Sequence, residues 1–152
     1  MNDEGWAVRR AEIGEARKVA DVWLRSRRAA VPSIPPPVHD DDDVRAWFED
    51  VVLPKEDTWV LDGDADIVGL LVLDGAWLDQ LYVDPAWTGR GLGSTLLEFA
   101  KAARPDGLDL WTFQANERAR RFYERHGFVS VSETHGDNEE GAPDVRYHWP
   151  AD

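Results

Sequence analysis

One stretch constrains the fold more than any other: Trp77 to Ala103, WLDQLYVDPAWTGRGLGSTLLEFAKAA. Its opening part, Trp77 to Val83, alternates apolar and polar residues and is rich in β-branched and aromatic side chains, which is the pattern of a strand. Asp84-Pro85 stops that strand, because proline has no N–H for a ladder. Gly89, Gly91 and Gly93 follow, interleaved and succeeded by Leu92, Leu96, Leu97 and Ala100 at helical spacing. Strand, glycine-rich turn and helix together aim a row of free backbone N–H groups at an anion. The first turn of a helix has unpaired donors and a partial positive charge, and glycine lets a phosphate come close. A phosphate-bearing ligand at this turn is the first expectation.

Neighbouring residues sort the kinds of glycine turn. A nucleotide-hydrolase loop needs Lys-Ser/Thr after its last glycine, and Gly93 is followed by Ser94-Thr95. The dinucleotide fingerprint needs a third glycine where this chain carries Ser94 or Leu96. A turn serving packing alone explains one glycine, not three in alternation at a helix start.

Charge points to the same segment. The net charge of −13 argues against general nucleic-acid binding, since phosphate backbones are held by Lys and Arg. Between Thr88 and His126, however, seven basic residues stand against five acidic ones, so that segment is +2 and the remainder −15. A solvated helix face and a local anion site both fit; the position beside the glycine turn favours the anion site. A chain of 152 residues predicts a single domain over 1–152 with a substantial core. The absence of cysteine suits a reducing cytoplasm. No apolar run is long enough to span a membrane, and MNDEGWAVRR lacks the apolar core of a signal peptide. A cytoplasmic protein without membrane or nucleic-acid partners is expected.

Taken in order, Ala7 to Ala11 predicts an edge strand and Gly14 starts a helix with Ala16, Val19, Ala20, Trp23 and Ala30 on one face. The prolines of 31–39 make a loop. Asp40 to Asp43 precede a helical stripe of Val44, Trp47, Phe48, Val51 and Val52, where acids cap the helix and complement its dipole; Pro54 is expected to end it. Thr58 to Leu61 and Ile67 to Leu73 predict a hairpin about Asp62-Gly63-Asp64-Ala65-Asp66. That turn opens like a calcium loop but lacks the required glycine and closing glutamate. Asp74-Gly75 turns into the central strand. After the glycine helix, Leu108 to Phe113 predicts a strand parallel to the central one. Asn116 caps a helix carrying Ala119, Phe122, Tyr123 and His126 on one face and ending at Gly127. Strands over Phe128–Glu133 and Val145–Trp149 flank the polar loop 135–143. The expected class is α+β: a mixed central sheet with helices on both faces, three layers α/β/α.

Two segments together resemble a family. LYVDPAWTGRGLGSTLL is similar to the acetyl-coenzyme A signature of GNAT-type (GCN5-related) N-acetyltransferases, and NERARRFYERHGF to their second signature, Asn-x-x-Ala-x-x-Phe-Tyr-x-x-x-Gly-Phe. The resemblance covers roughly 58–130, and the helix and strand between the motifs have the right order. One departure is Thr88, where the family's loop opens with Gln or Arg.

The resemblance implies transfer of an acetyl group from acetyl-coenzyme A to a primary amine, by direct attack through a tetrahedral intermediate, with no metal. The pyrophosphate is expected on the amides of Gly89, Arg90, Gly91, Leu92, Gly93 and Ser94, with Arg90 adding charge and Thr88 a changed contact. The pantetheine arm is expected along Leu81, Tyr82 and Val83, where the central strand splays from its parallel neighbour. The Val83 amide would polarise the thioester carbonyl, an effect of roughly 2.7–4 kcal/mol by analogy. Asn116 would contact the arm or cap its helix. Tyr123 is the expected general acid for the leaving thiolate. By position alone it reads as a core aromatic, and the Phe122-Tyr123 match to the motif decides for catalysis.

An alkyl ammonium with a pKa of about 10.4 must lose its proton before attack. Period-two alternation puts Asp79 on the face of Leu81 and Val83, so Asp79 is the expected base, with a structural ion pair as the alternative. Glu139, Glu140 and His135 are weaker candidates. Trp47, Trp59, Trp77, Trp111 and Trp149 sit at helix and strand positions that are more often core than pocket; an acceptor pocket is the lesser reading, and for it Trp77 on the central strand is the best placed. The competing functions are a non-catalytic coenzyme A-binding or sensing module, an acyltransferase using another acyl-coenzyme A, and a nucleotide-binding regulator. The acidic exterior fits a cationic acceptor, a small molecule or the lysine or N-terminal amine of a protein, and a homodimer is common in the resembling family.

Overall fold

The computed structural model describes residues 6–63 and 66–150. The tip of the first hairpin, Asp64-Ala65, and the head of the N-terminal segment lie outside them. Seven strands form one sheet: β1 (Ala7–Arg10), β2 (Asp57–Gly63), β3 (Asp66–Asp74), β4 (Trp77–Val83), β5 (Leu108–Phe113), β6 (Val129–Thr134) and β7 (Asp144–Trp149). Their order is β1-β2-β3-β4-β5-β7-β6, with only the β4–β5 pair parallel. The helices are α1 (Ala16–Ala30), α2 (Asp41–Trp47), the single turn α3 (Leu53–Lys55), α4 (Leu92–Ala103) and α5 (Glu117–Arg125).

Two apolar layers sandwich the sheet. On one face α4 presents Leu92, Leu96, Leu97 and Ala100 to Leu61, Leu71, Leu73 and Leu110, with Tyr123 of α5 joining them. On the other, Val19, Ala20 and Trp23 of α1 pack with Val44 and Phe48 against Val60, Leu70 and Val72. This is the α/β/α arrangement expected. Strand β3 is buried from Ile67 to Leu73, which explains its unbroken apolar run: both of its faces are covered. Gly69 is the close-approach point of α4, since a Cβ there would lie 3.1 Å from the Leu96 side chain and 3.2 Å from the Tyr82 carbonyl oxygen.

The expected caps form. Asp40 Oδ1 accepts from the Asp43 N–H at 2.8 Å, and Asn116 Oδ1 from the Ala119 N–H at 3.2 Å. Pro54 does not end its helix. The chain widens over Phe48–Val52, the Leu53 N–H bonds to the Phe48 carbonyl, and α3 restarts with proline in its first turn, where no N–H is required.

The departure from simple periodicity that matters most lies in β4. Val72 pairs with Gln80 but Leu73 with Leu78, which leaves Asp79 as the extra residue of a bulge. Leu78, Leu81 and Val83 all pack on the α4 face despite the odd spacing between Leu78 and Leu81. Gln80 and Tyr82 therefore face α1, where the Trp23 indole N–H donates to Gln80 Oε1 at 2.9 Å.

Leu96 is fully buried between α4 and the sheet. Leu96→Ala is expected to cost about 2–5 kcal/mol, measured as a shift in the urea midpoint at unchanged slope.

Candidate active site

The β4 and β5 strands touch at one end and part at the other. Their recorded register is the single pair Trp77↔Asp109, reinforced by the Asp109 N–H donating to the Ala76 carbonyl at 2.9 Å. Beyond it each strand keeps its outer partner: β4 pairs with β3 as far as Val83, and β5 with β7 as far as Phe113. The Asp84 N–H donates to the Val68 carbonyl at 2.8 Å, so the alternation of an antiparallel ladder turns the N–H and C=O of Val83 and Leu81 away from β3. They point into the split. The Val83 carbonyl takes a hydrogen bond from Ser26 Oγ of α1 at 3.0 Å, which leaves the Val83 N–H as the donor facing the opening.

A cleft of about 830 Å³ runs from this split over the glycine turn. Gly89 and Gly91 hold φ of +79° and +77°, and a Cβ on either would meet nothing within 4 Å. The backbone angle, not space, is what requires glycine there. Gly91 is the N-cap of α4, so the amides of Leu92, Gly93 and Ser94 precede the first intrahelical bond, Thr95 N–H to Gly91 O at 3.1 Å. Asp84 anchors the base of the turn: it pairs with Arg25 of α1 at 2.6 Å and accepts the Ala86 N–H at 3.0 Å.

The charge at this cleft comes from a different place than expected. Arg90 stacks on the Trp87 ring at 4.7 Å and does not line the cleft. Arg118, Arg121 and Arg125, three and four residues apart on one face of α5, do line it. Thr88 lines it too, with its hydroxyl donating to the Pro85 carbonyl at 3.2 Å. Ser94 Oγ meets His126 Nε2 at 3.1 Å, and His126 Nδ1 meets Glu98 at 3.3 Å, which ties the start of α4 to the end of α5.

Tyr123 reaches the same cleft from α5. Its ring packs at 5.5 Å from Phe128 and 5.2 Å from Phe122, and its hydroxyl makes no hydrogen bond to another described residue. Burial holds its phenol well above the ordinary value, and the neighbouring Tyr82 phenol adds to the rise. Tyr123 therefore keeps its proton at neutral pH. Asn116, the cap of α5, lines the cleft beside it.

Asp79 is not brought to this site. The bulge breaks the alternation on which its expected position rested, and it lies four residues from Val83, about 13 Å of strand. It sits exposed, in a trio with Glu56 and Asp74 whose carboxylate oxygens lie within 4.8 Å of one another. Glu56 bears the consequence: its pKa is pushed up to about 8, first by burial, then by hydrogen bonding to Asp79 and the charges of Asp79 and Asp74.

Trp59 is core, as its position suggests, whereas the lesser reading of Trp77 as a pocket wall is corrected. Trp77 lies at the closed end of the β4–β5 pair, beneath Arg146 at 5.2 Å. A second cavity, about 440 Å³, is lined instead by Trp23 and Trp47, with Gln80, Glu139 and Glu140. It shares the wall of α1 and β4 with the first.

A model of the acetyltransferase (GNAT) domain matches residues 54–130. The peptidyl-lysine N-acetyltransferase YjaB of Salmonella typhimurium is 34% identical over 127 residues, covering 80% of this chain and 81% of that protein. The chain belongs to the GNAT acetyltransferase family. It is an acetyl-coenzyme A-dependent N-acetyltransferase. The solution structure of apo YjaB from Escherichia coli superposes with a TM-score of 0.77 at 25% identity, covering 95% of this chain and 97% of that one. The PaiA N-acetyltransferase from Thermoplasma acidophilum, solved in complex with coenzyme A, shares the fold at TM-score 0.72 and 16% identity, with 95% and 98% covered.

For this GNAT enzyme the sequence motifs located the loop amides, Val83, Asn116 and Tyr123 at one cleft. They did not single out the three α5 arginines or Ser26. The arginines were legible only as a locally positive segment, and nothing local to Ser26 marks a partner 57 residues away.

A left-handed φ costs a residue with a Cβ about 1–2 kcal/mol. Gly91→Ala is therefore expected to weaken coenzyme A binding about tenfold, measured by titration. The folded chain holds the Glu56 proton more tightly than the unfolded chain does. Stability should fall as pH rises from 4.5 to about 8, and Glu56→Gln should flatten that slope in melting temperatures taken across the window.

Proposed function

We propose that this enzyme acetylates a lysine side chain of a protein or peptide, with Tyr123 as general acid and the Val83 amide as the donor that polarises the thioester carbonyl. The observation that carries this reading is the parting of β4 from β5 beside the buried Tyr123, which lines the same cleft. In it the arm of acetyl-coenzyme A takes the open edge of Leu81, Tyr82 and Val83, where backbone groups stand in for the missing strand. The diphosphate rests on the amides from Gly89 to Ser94, and Arg118, Arg121 and Arg125 supply the positive charge that the rest of the acidic chain lacks.

The neutral amine attacks the carbonyl carbon, and negative charge gathers on the oxygen that faces the Val83 N–H. As the C–S bond breaks, the sulfur takes the Tyr123 proton. The proton of the attacking nitrogen leaves toward the second cavity, whose carboxylates are Asp43, Glu139 and Glu140. Acceptor identity as peptidyl lysine draws on the named activity of the YjaB relatives. An acidic, tryptophan-lined cavity suits an incoming ammonium.

Tyr123→Phe is expected to lower kcat by a factor on the order of 10² or more while coenzyme A binding holds, measured by thiol release and by titration. Unchanged turnover would refute the role.

A further inference from the structure

The second cavity contains a group that acetyl transfer to lysine does not use. Arg27, in the fourth turn of α1, is only 6% exposed, yet its Nε and Nη2 have no hydrogen-bond partner among the described residues. Its guanidinium carbon lies 4.8 Å from the Trp23 ring and 5.9 Å from that of Phe113 on β5, beside the mouth of the split. Arg27 also neighbours the Tyr82 phenol, whose proton affinity it lowers against the effect of burial. The nearest counter-charge, Glu140, is 3.6 Å from Nη2, close enough to balance the charge and too far for a hydrogen bond.

Arginines with a purely structural role look different in this chain. Arg9 gives Nε to Asp62 at 2.9 Å and both terminal nitrogens to Glu15, and Arg104 gives Nε to the Gly75 carbonyl and Nη2 to Asp57. Arg27 is buried and oriented by stacking and by its contact with Tyr82, and its Nε–Nη2 edge carries no hydrogen bond. Nε and Nη2 form one edge of the guanidinium, and that planar edge matches the two oxygens of a carboxylate.

We infer that Arg27 receives a carboxylate of the acceptor, so that the preferred substrate is an amine carrying a carboxylate close by. This rests on the acetyl-transfer reading above and narrows it. Glu140 beside Arg27 offers the opposite charge, so the cavity presents adjacent partners for a substrate with both charges. An acidic residue next to the lysine and the α-carboxylate of a free amino acid are two sources of the same chemistry.

Two acceptor pairs test this on the full chain: L-lysine against L-lysinamide, and acetyl-Lys-Asp-amide against acetyl-Lys-Asn-amide. Each compound is measured for binding to the coenzyme A-loaded protein by calorimetry and for turnover by thiol release. In at least one pair the carboxylate-bearing member is expected to bind about tenfold tighter, and both Arg27→Gln and Arg27→Lys should erase the difference. A preference confined to the first pair assigns the carboxylate to a free amino acid; one confined to the second assigns it to an acidic neighbour in a peptide. Equal binding within both pairs, or a preference that persists in the variants, overturns the inference. The wild-type comparison decides alone if a variant does not fold. Preferential binding without thiol release would leave Arg27 assigned and remove acetyl transfer to these amines; thiol release without preference would do the reverse.

Discussion

Everything at this site depends on two parallel strands that meet once and then separate. Neither strand is short of partners: β4 is laddered to β3 and β5 to β7, so parting costs only the hydrogen bonds between β4 and β5 themselves. Contacts on each side fix the two strands. At the parted end Ser26 and Arg25 of α1 take the Val83 carbonyl and the Asp84 carboxylate, and β5 stays laddered to β7 as far as Phe113; at the joined end Arg146 and His148 of β7 hold Asp109. The edge opened in this way is a strand edge in the middle of a sheet, sheltered from aggregation and available to an extended ligand.

Electrostatics divides the molecule along the same line. In a chain of net charge −13, the first cleft gathers cations on one helix face beside the uncharged amides of a helix start, the combination that suits a polyanion. The opposite wall of β4 is acidic and aromatic, with Arg27 as its buried exception. The two cavities are therefore chemically distinct although a single helix and a single strand separate them.

The legible parts were those in which a local rule acts on neighbouring residues. Asp40 and Asn116 cap helices because a side-chain oxygen reaches an amide three residues on. Gly91 holds a positive φ because the turn into α4 demands it. The unbroken run of β3 announces burial on both faces. Pro54 and Asp79 misled for one shared reason, an inserted backbone residue: Pro54 follows the widened turn Phe48–Val52, and Asp79 is itself the extra residue of a β-bulge. Such insertions are set by packing against other elements and leave no signature in periodicity.

Alternation, turn chemistry and capping were enough to determine a mixed α/β/α sheet, the glycine turn at the start of α4, and the place of Tyr123 on its helix, because each is decided within a few residues along the chain. The tertiary structure alone decided which charges line the first cleft, that Asp79 lies away from it, and that Trp23, Arg27 and Glu140 meet in one cavity. Those outcomes depend on the strand register and on residues more than a hundred positions apart, distances over which a linear pattern carries no geometric information.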